Sequence, residues 1–492
     1  MSQLENTVLQ IIKENNLRYK WNEKISLELK DIELDSKKSR KDLTKTPFIT
    51  IDGPDAKDFD DAIFCRRNNS KYILSVAIAD VAEIIKYNSE IDKEAQKRGT
   101  SIYFPSKVIP MLPEKISNDL CSLVPNENRN VVVCDIFFSL SGEIESYSFF
   151  EGKIKSHLRM TYKQVDEYLN HIKSDINENI CLSLDNLNSL TKILLTKRSE
   201  RHALEIDSQE PTLKINQNGK VNKIVLPKHY FSNQMIEEAM LSANICAANF
   251  MKKNYSYGVY RVHEEPDEIK LETLKNFFHL KGFSINSNKN SLGTLTECIK
   301  FAKKNNLKKV LQTLILQSLK RAEYSTKEIG HFGLQLERYS HFTSPIRRYP
   351  DLMTHRMIKN IVNKGKIKFS KDKIEEDCIA MSECERIAEK SSRQVIQQMI
   401  CYLLKEYIGN QFNTVITGIT EFGLFAEIED FYISGLIHVT DLPGDRYFYN
   451  KESNYLIGKR SGRTYKIGQE IRVTIANVIP DERKITLVPL SK

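Results

Sequence analysis

Five aspartates stand within ten residues in the run TIDGPDAKDFDDAI, among them Asp52, Asp58, Asp60 and Asp61. Carboxylates this close repel one another unless cations neutralise them. Hard divalent cations with all-oxygen shells, above all Mg²⁺, suit such a cluster. The neighbouring Gly53, Pro54, Ala56 and Phe59 describe a shaped loop rather than a solvated acidic tail. An acidically biased surface loop is the plainer alternative. A second dense motif, HFGLQLERYSHFTSPIRRYPDL, covers residues 331–352. In it Arg347 and Arg348 are adjacent, flanked by Thr343, Ser344, Tyr349 and Asp351. Guanidinium groups offer a planar fork of donors to a phosphate, and hydroxyls add neutral donors. Ser344-Pro345 makes a rigid turn that can present both arginines. An isolated arginine pair would read as a salt-bridging surface, but the surrounding histidines, hydroxyls and aromatics favour a phosphate site.

These residues need elements to hold them. The chain has 492 residues, too many for one ordinary core, so one large domain and at least one smaller module are expected. Hydrophobic residues make up 40% and charged residues 28%, a globular composition with no apolar run long enough for a membrane span. The first residues, MSQLENTVLQIIKENN, lack the basic start and apolar core of a signal peptide. Nine cysteines without a CxxC pair read as reduced thiols of a cytoplasmic protein. A net charge of +9 favours a polyanionic partner, though weakly.

Leu4, Val8, Ile11 and Ile12 predict a helix, and residues 31–45 a linker or solvated helix. PFITI at 47–51 predicts a strand feeding the aspartate loop. YILSVAIA at 72–79 predicts a buried strand running into Asp80, and VVVCDIFF at 131–138 another. GTSIYFPSKVIPMLP, punctuated by prolines, predicts an extended loop. Ile236, Ala239, Met240, Ala243, Ala247 and Phe250 recur at helical spacing, and residues 309–323 and 376–408 also read as helices. From Gln411 onward, short strands and glycine turns predict a small barrel, with a boundary near Gly409.

In this order and spacing, TIDGPDAKDFDDAI, RGTSIYFPSKVIPMLP, IEEAMLSANI, YGVYRVHEEP and HFTSPIRRYPDL resemble the catalytic domain of the ribonuclease II/ribonuclease R (RNB) family. The resemblance covers about residues 45–490, and RRYPDL with the following barrel is more similar to the ribonuclease R branch. It implies an α+β fold: a mixed RNB catalytic domain over 47–408, preceded by a helix and linker over 1–46. A small OB-type β-barrel of the S1 class follows over 409–492. It implies a processive hydrolytic 3′-to-5′ exoribonuclease that releases nucleoside 5′-monophosphates, with Mg²⁺ as cofactor and Mn²⁺ as its alternative. The partner implied is RNA with a free 3′ end; no membrane or obligate protein partner is implied, and a monomer is expected.

Residue by residue, the resemblance assigns Asp52, Asp58, Asp60 and Asp61 to the metal centre. It ties Asp60 to the chemical step and Arg347 to the scissile phosphate, leaving Arg348 open. Tyr103 takes the place of a tyrosine that packs on the terminal nucleotide. The family usually sets a phenylalanine opposite, where HALEIDSQE puts Ile206. Glu237 and Glu238 match a glutamate pair, one of which could meet RNA hydroxyls. His263 stays outside the catalytic set. Phe422, Phe425 and His438 match the RNA face of S1 barrels; the alternative makes Phe425 core and leaves only Phe422 exposed. Arg460, Arg463 and Lys466 fall in a loop that could extend the groove or be merely solvated. Long family members carry cold-shock-type OB domains before the catalytic domain, whereas about 46 residues precede the motif here.

A catalytically inactive, RNA-binding regulator of the same family is the second reading. Such a chain is free to lose the aspartates or Arg347, and all are present. A metal phosphoesterase for another substrate is a third, and it gives the S1-like barrel no purpose.

Overall fold

The computed structural model describes residues 2–32, 39–105, 107–172, 176–204, 211–280, 282–283, 290–304, 314–316, 318–365, 370–450 and 455–490. The chain opens with the helix Gln3–Glu14, capped by reciprocal bonds between Ser2 and Glu5. Four strands follow: β1 (Lys41–Asp42), β2 (Phe48–Asp52), β3 (Asp61–Arg67) and β4 (Lys71–Ala79). Next come a hairpin, β5 (Ile102–Phe104) and β6 (Lys107–Ile109), and two long strands, β7 (Asn128–Ser139) and β8 (Ile144–Thr161). Six of these strands form one sheet in the order β1-β8-β2-β3-β4-β7. β8 also pairs with β7, antiparallel along its first part and parallel to β1 and β2 along its last. The sheet thus closes on itself around a core that includes Ile49, Ile51, Leu74, Val76 and Ile78.

β2 and β3 are antiparallel neighbours, so Asp52, which ends β2, and Asp61, which starts β3, lie at the same end of the sheet. Outside the sheet, the helix Glu178–Glu200 packs on β3. The helix Phe231–Asn254 packs between it and the helix Tyr349–Val362. A hairpin, β9 (Thr212–Ile215) and β10 (Val221–Val225), and a pair, β11 (Tyr260–Val262) and β12 (Glu323–Ser325), complete this part.

The helix Lys371–Leu404 leads into a closed barrel of β13 (Gln411–Thr420), β14 (Gly423–Ile428), β15 (Ile433–His438), β19 (Glu470–Ile479) and β20 (Lys484–Pro489). Between β15 and β19 the chain makes β16 (Tyr447–Asn450), β17 (Tyr455–Gly458) and β18 (Thr464–Tyr465). Ile400, Cys401 and Leu404 of the long helix lie in the barrel's own core, and Arg483 pairs with Glu14 at 3.0 Å. The barrel is therefore docked on the preceding part of the chain.

The mixed α+β architecture with a C-terminal barrel is as the sequence implies. Three local expectations fail. Residues 41–42 are not a linker: they join the sheet, because Arg40 reaches buried carboxylates beneath it. The segment 99–113 is not a plain loop: Pro105 and Pro110 lie outside two short strands that pair as β5 and β6. Arg463 and Lys466 do not lie in a loop alone: they flank β18 of a three-stranded sheet. Of the helix expected over 309–323, residues 309–313 and 317 lie outside the described residues, 314–316 and 318 are helical, and residues 323–325 are β12. All nine cysteines are free. Among the described residues no helix is long and apolar enough to cross a membrane.

Candidate active site and nucleic-acid interface

The loop between β2 and β3 is shaped by its backbone. Phe59 is buried; its N–H donates to Ser122 Oγ at 3.0 Å, and its carbonyl accepts from Leu123 N at 3.0 Å. Ser122 Oγ donates in turn to the Lys57 carbonyl at 2.7 Å. Arg159 Nη2 donates to the carbonyls of Gly53 and Pro54 at 2.7 and 2.8 Å. With the backbone so engaged, Asp52, Asp58, Asp60 and Asp61 line one cavity of about 310 Å³ together with Glu237 and Arg347.

The arginine turn closes the cavity from the other side. Ser344 N and Arg348 Nη2 both donate to Asp351 Oδ1, at 2.8 and 2.7 Å. The Arg347 carbonyl accepts from Ser101 N at 3.0 Å, and Tyr349 N donates to the Gly99 carbonyl at 2.9 Å. The turn is thereby clamped to the segment that leads into β5. Arg348 is spent on Asp351, whereas Arg347 keeps a side chain 43% exposed, with Nη2 donating to Ser344 Oγ at 2.9 Å. The two motifs meet at Asp60. Its Oδ1 accepts from Ile346 N at 2.8 Å, and its Oδ2 lies 3.5 Å from Arg347 Nε.

The electrostatics show what the cavity lacks. Burial, reinforced by Asp61, pushes the Asp52 carboxyl up to about 8. Burial pushes Asp61 up to about 6 against the pull of Arg347, and pushes Asp60 well above the carboxylate range. Asp52 Oδ2 is buried without a hydrogen-bond partner among the described residues. A buried cluster of acids short of positive charge, with an orphaned oxygen, fits a divalent cation. Another acidic group, Asp80, Glu83 and Glu151, brings its oxygens within 4.8 Å of one another. There Lys359 Nζ already fills the place of a cation, 2.6 to 3.0 Å from all three.

Tyr103 is 45% exposed on β5, and its hydroxyl donates to Asp58 Oδ2 at 3.0 Å, which fixes the ring beside the aspartate loop. Ile206 lies outside the described residues. Arg198 Nη1 donates to Glu237 and Glu238 at 2.8 and 2.9 Å. Glu237 faces the cavity, while Glu238 is buried behind it and pushed up by that burial. His263 has both ring nitrogens engaged with backbone: Nδ1 accepts from Gly333 N at 3.1 Å, and Nε2 is 2.9 Å from the Lys320 carbonyl. Its place outside the catalytic set fits this structural use.

Sequence reasoning passed over Asn244 and Arg198. Asn244 Oδ1 accepts from Phe342 N at 2.8 Å and its amide donates to Tyr339 Oη at 3.0 Å, so it pins the stretch leading to Arg347. The available signal was an asparagine on the apolar stripe of a buried helix.

The barrel gathers its three residues at one end. Gly423 is opposite His438, which puts the preceding Phe422 beside it. A Cβ on Gly423, at φ +155°, would lie 2.2 Å from the Ile437 carbonyl, so only glycine lets the strands pass this closely. Phe422 is 46% exposed and meets Phe425 edge-on at 6.0 Å, while Phe425 is half-buried over Gly418. His438 is exposed, with Nδ1 2.7 Å from Thr440 Oγ1. The arrangement thus lies between the two alternatives for Phe425. Phe422→Ala should raise the Kd for single-stranded RNA roughly 5- to 100-fold, the worth of one base stack. Fluorescence anisotropy at fixed salt measures it, and an unchanged Kd removes Phe422 from the interface.

A closed sheet holds an aspartate loop against an arginine turn and is followed by an aromatic-faced barrel, and the residue types that meet in the cavity suit a divalent cation and a phosphate. A profile of the RNB domain matches residues 40–364, and one of the S1 RNA binding domain matches residues 406–488. The chain belongs to the RNB family. It is 35% identical to ribonuclease R of Escherichia coli over 96% of its own length and 61% of that protein. The chain thus spans about six tenths of the curated relatives it matches. Its fold superposes on Mycoplasma genitalium RNase R in complex with ribose methylated single-stranded RNA. That match has a TM-score of 0.94 and 29% identity, over 99% of this chain and 78% of that one. Yeast Ssd1, described as a pseudonuclease, shares the fold at a TM-score of 0.72 and 18% identity, over 92% of this chain and 58% of that one. The fold alone therefore does not decide activity.

Proposed function

We propose that this chain hydrolyses RNA processively from the 3′ end, releasing nucleoside 5′-monophosphates, with Mg²⁺ at Asp52, Asp58, Asp60 and Asp61. The observation that carries the reading is the bond from Ile346 N to Asp60, which seats the acidic loop and Arg347 in one cavity. Bound divalent ions supply charge stabilisation for the phosphodiester and activation of water. The chain's own residues do the rest. Arg347 offers its exposed guanidinium to the phosphate, oriented by Ser344 Oγ and Asp60. Tyr103, tethered to Asp58, presents a ring to the terminal nucleotide. Glu237, steadied by Arg198, can accept from ribose hydroxyls. The barrel end with Phe422 and His438 holds RNA outside the cavity. An inactive RNA-binding role gains nothing from this arrangement, since it would leave a buried acidic cluster with no use.

A cytoplasmic protein acting in RNA turnover fits the nine free cysteines. The direct test is a 5′-labelled single-stranded RNA incubated with the protein and Mg²⁺. Processive cleavage gives full-length RNA and a short limit product without a ladder. A persistent ladder refutes processivity, and no cleavage refutes the enzyme. A second test needs no turnover. Mg²⁺ should raise the Tm of the wild-type protein over its value in EDTA, because it neutralises the buried aspartates. Equal Tm values with and without the ion would count against the site.

A further inference from the structure

The sheet β16–β18 interrupts the barrel between β15 and β19. Its inner face, Tyr447, Leu456 and Tyr465, is buried in the barrel core. The strand register sets Phe448 opposite Ile457 and Ile457 opposite Thr464, so these three form a row on the outer face. Phe448 is 54% exposed, more than Phe422 at 46% or Tyr103 at 45%. An apolar ring this exposed on a packed sheet contributes nothing to the core beneath it.

A cation borders that ring, and others lie on the same small sheet. Lys459 Nζ lies 5.9 Å from the Phe448 ring centre, and Lys466 Nζ lies 5.1 Å from that of Tyr455. Arg446, Arg460 and Arg463 are exposed on the same small sheet and its turn. One carboxylate stands among the described residues of 445–466, and it is already engaged. Asp445 accepts from the N–H groups of Arg446, Arg460 and Ser461, each at 2.7 Å, and from Ser461 Oγ at 2.8 Å. Its charge thus fixes the turn that presents Arg460 and Arg463. An exposed ring with cations on the same sheet suits the bases and phosphates of a flexible polyanion. A protein surface would more often meet a broader apolar patch. The sheet follows the barrel's aromatic end in the chain: Val439, next to His438, donates to the Phe422 carbonyl at 2.9 Å, and residues 439–446 lead directly to β16.

Resting on the reading of the chain as an RNA-degrading enzyme, we infer that the outer face of β16–β18 is a second RNA surface. It stacks a base on Phe448 and holds phosphates with Lys459 and Arg460. The RNA it takes is single-stranded and lies upstream of the segment on Phe422 and His438.

The test uses the full chain in EDTA, so that binding is read without cleavage. Anisotropy gives the Kd of two single-stranded RNAs, roughly 8 and roughly 30 nucleotides long, across a salt series. Phe448→Ala with Lys459→Ala should weaken binding of the long RNA roughly 5- to 100-fold. The salt slope should fall by about 0.7, for the phosphate that the lysine no longer neutralises. The advantage of the long RNA over the short one should shrink accordingly, and Phe448→Tyr should restore the stacking part. A melt checks that each variant is folded; if the double variant is not, Phe448→Ala alone carries the comparison. An unchanged Kd and slope on long RNA overturn the inference. So does an equal loss on both RNAs, which signals a distorted barrel, and so does loss of a protein partner with RNA affinity intact. Failure of the wild-type protein to cleave RNA under Mg²⁺ would overturn the proposed function instead, and is read in a separate reaction.

Discussion

Asp60→Asn should leave a folded protein that binds RNA normally and hydrolyses it at least about 10³-fold more slowly. The amide keeps the shape of the carboxylate, and its Oδ1 can still accept from Ile346 N, a bond of 2.8 Å in the wild type. What it loses is charge. A neutral amide is a poor ligand for a hard cation, and several kcal/mol of transition-state stabilisation depend on such ligands. A loss of roughly 4 kcal/mol corresponds to about 10³ in rate. Stability should move the other way. Burial pushes the Asp60 carboxyl well above its ordinary range, so its ionised form opposes folding. The folded state then binds the proton more tightly than the unfolded state, and stability falls as pH rises toward the raised value. A neutral asparagine escapes that penalty, so the Tm in EDTA should be equal to or above wild type. Single-turnover hydrolysis at saturating RNA, a Kd and a melt separate the effects. Turnover near wild type removes Asp60 from the chemistry. A lower Tm with equal losses of binding and rate would mean a folding defect.

The aspartate loop was legible because its signal is local. The apolar run at 47–51 gave β2, and Gly53 and Pro54 marked the shaped loop that follows it. The stripe Leu4, Val8, Ile11 and Ile12 likewise marks a helix in which those four residues are all buried. The hairpin β5–β6 was hidden by Pro105 and Pro110, which punctuate the segment and disguise its pairing. The sheet β16–β18 was hidden by its strands of two to four residues, too short to establish a period among so many charges. Asn244 and Arg198 act through partners distant in sequence, Phe342 and the Glu237–Glu238 pair. No spacing rule connects such residues. The same holds for the charges beneath the sheet.

Replacing Lys359 by Met should cost roughly 3 to 5 kcal/mol of stability at neutral pH, the usual loss when one partner of a buried ionic group is removed. Lys359 Nζ lies 2.6 Å from Asp80, 2.8 Å from Glu83 and 3.0 Å from Glu151. Arg40 Nη2 lies 2.7 Å from Asp80 and 2.9 Å from Glu83. Without Lys359, three buried or half-buried carboxylates share one guanidinium. Burial by itself pushes Asp80 up, yet Lys359 and then Arg40 outweigh it and hold the carboxyl below its ordinary value of 3.8. Burial likewise pulls Lys359 down, but Asp80 and Glu83 raise it above its ordinary 10.5. A lowered acid gives stability that is complete above its unfolded pKa and disappears as pH falls through the folded one. A raised base gives stability that is complete below its unfolded pKa and disappears as pH rises through the folded one. The wild-type advantage over Lys359→Met should therefore be fullest between about 4 and about 10 and shrink in acid. Urea melts across pH read this directly, and a difference that grows in acid would refute the assignment. Activity should follow stability here. Lys359 stands near the end of the helix Tyr349–Val362, which begins directly after Arg348. Its carboxylate partners anchor that helix to Asp80 at the end of β4, beside the sheet that carries Asp61. Freed at that end, the helix no longer fixes the turn that holds Arg347 against Asp60. The folded fraction of Lys359→Met should thus cleave RNA more slowly while binding it with unchanged affinity through the barrel. Full activity per folded molecule would show that the turn is held by Asp351 and the segment before β5 alone.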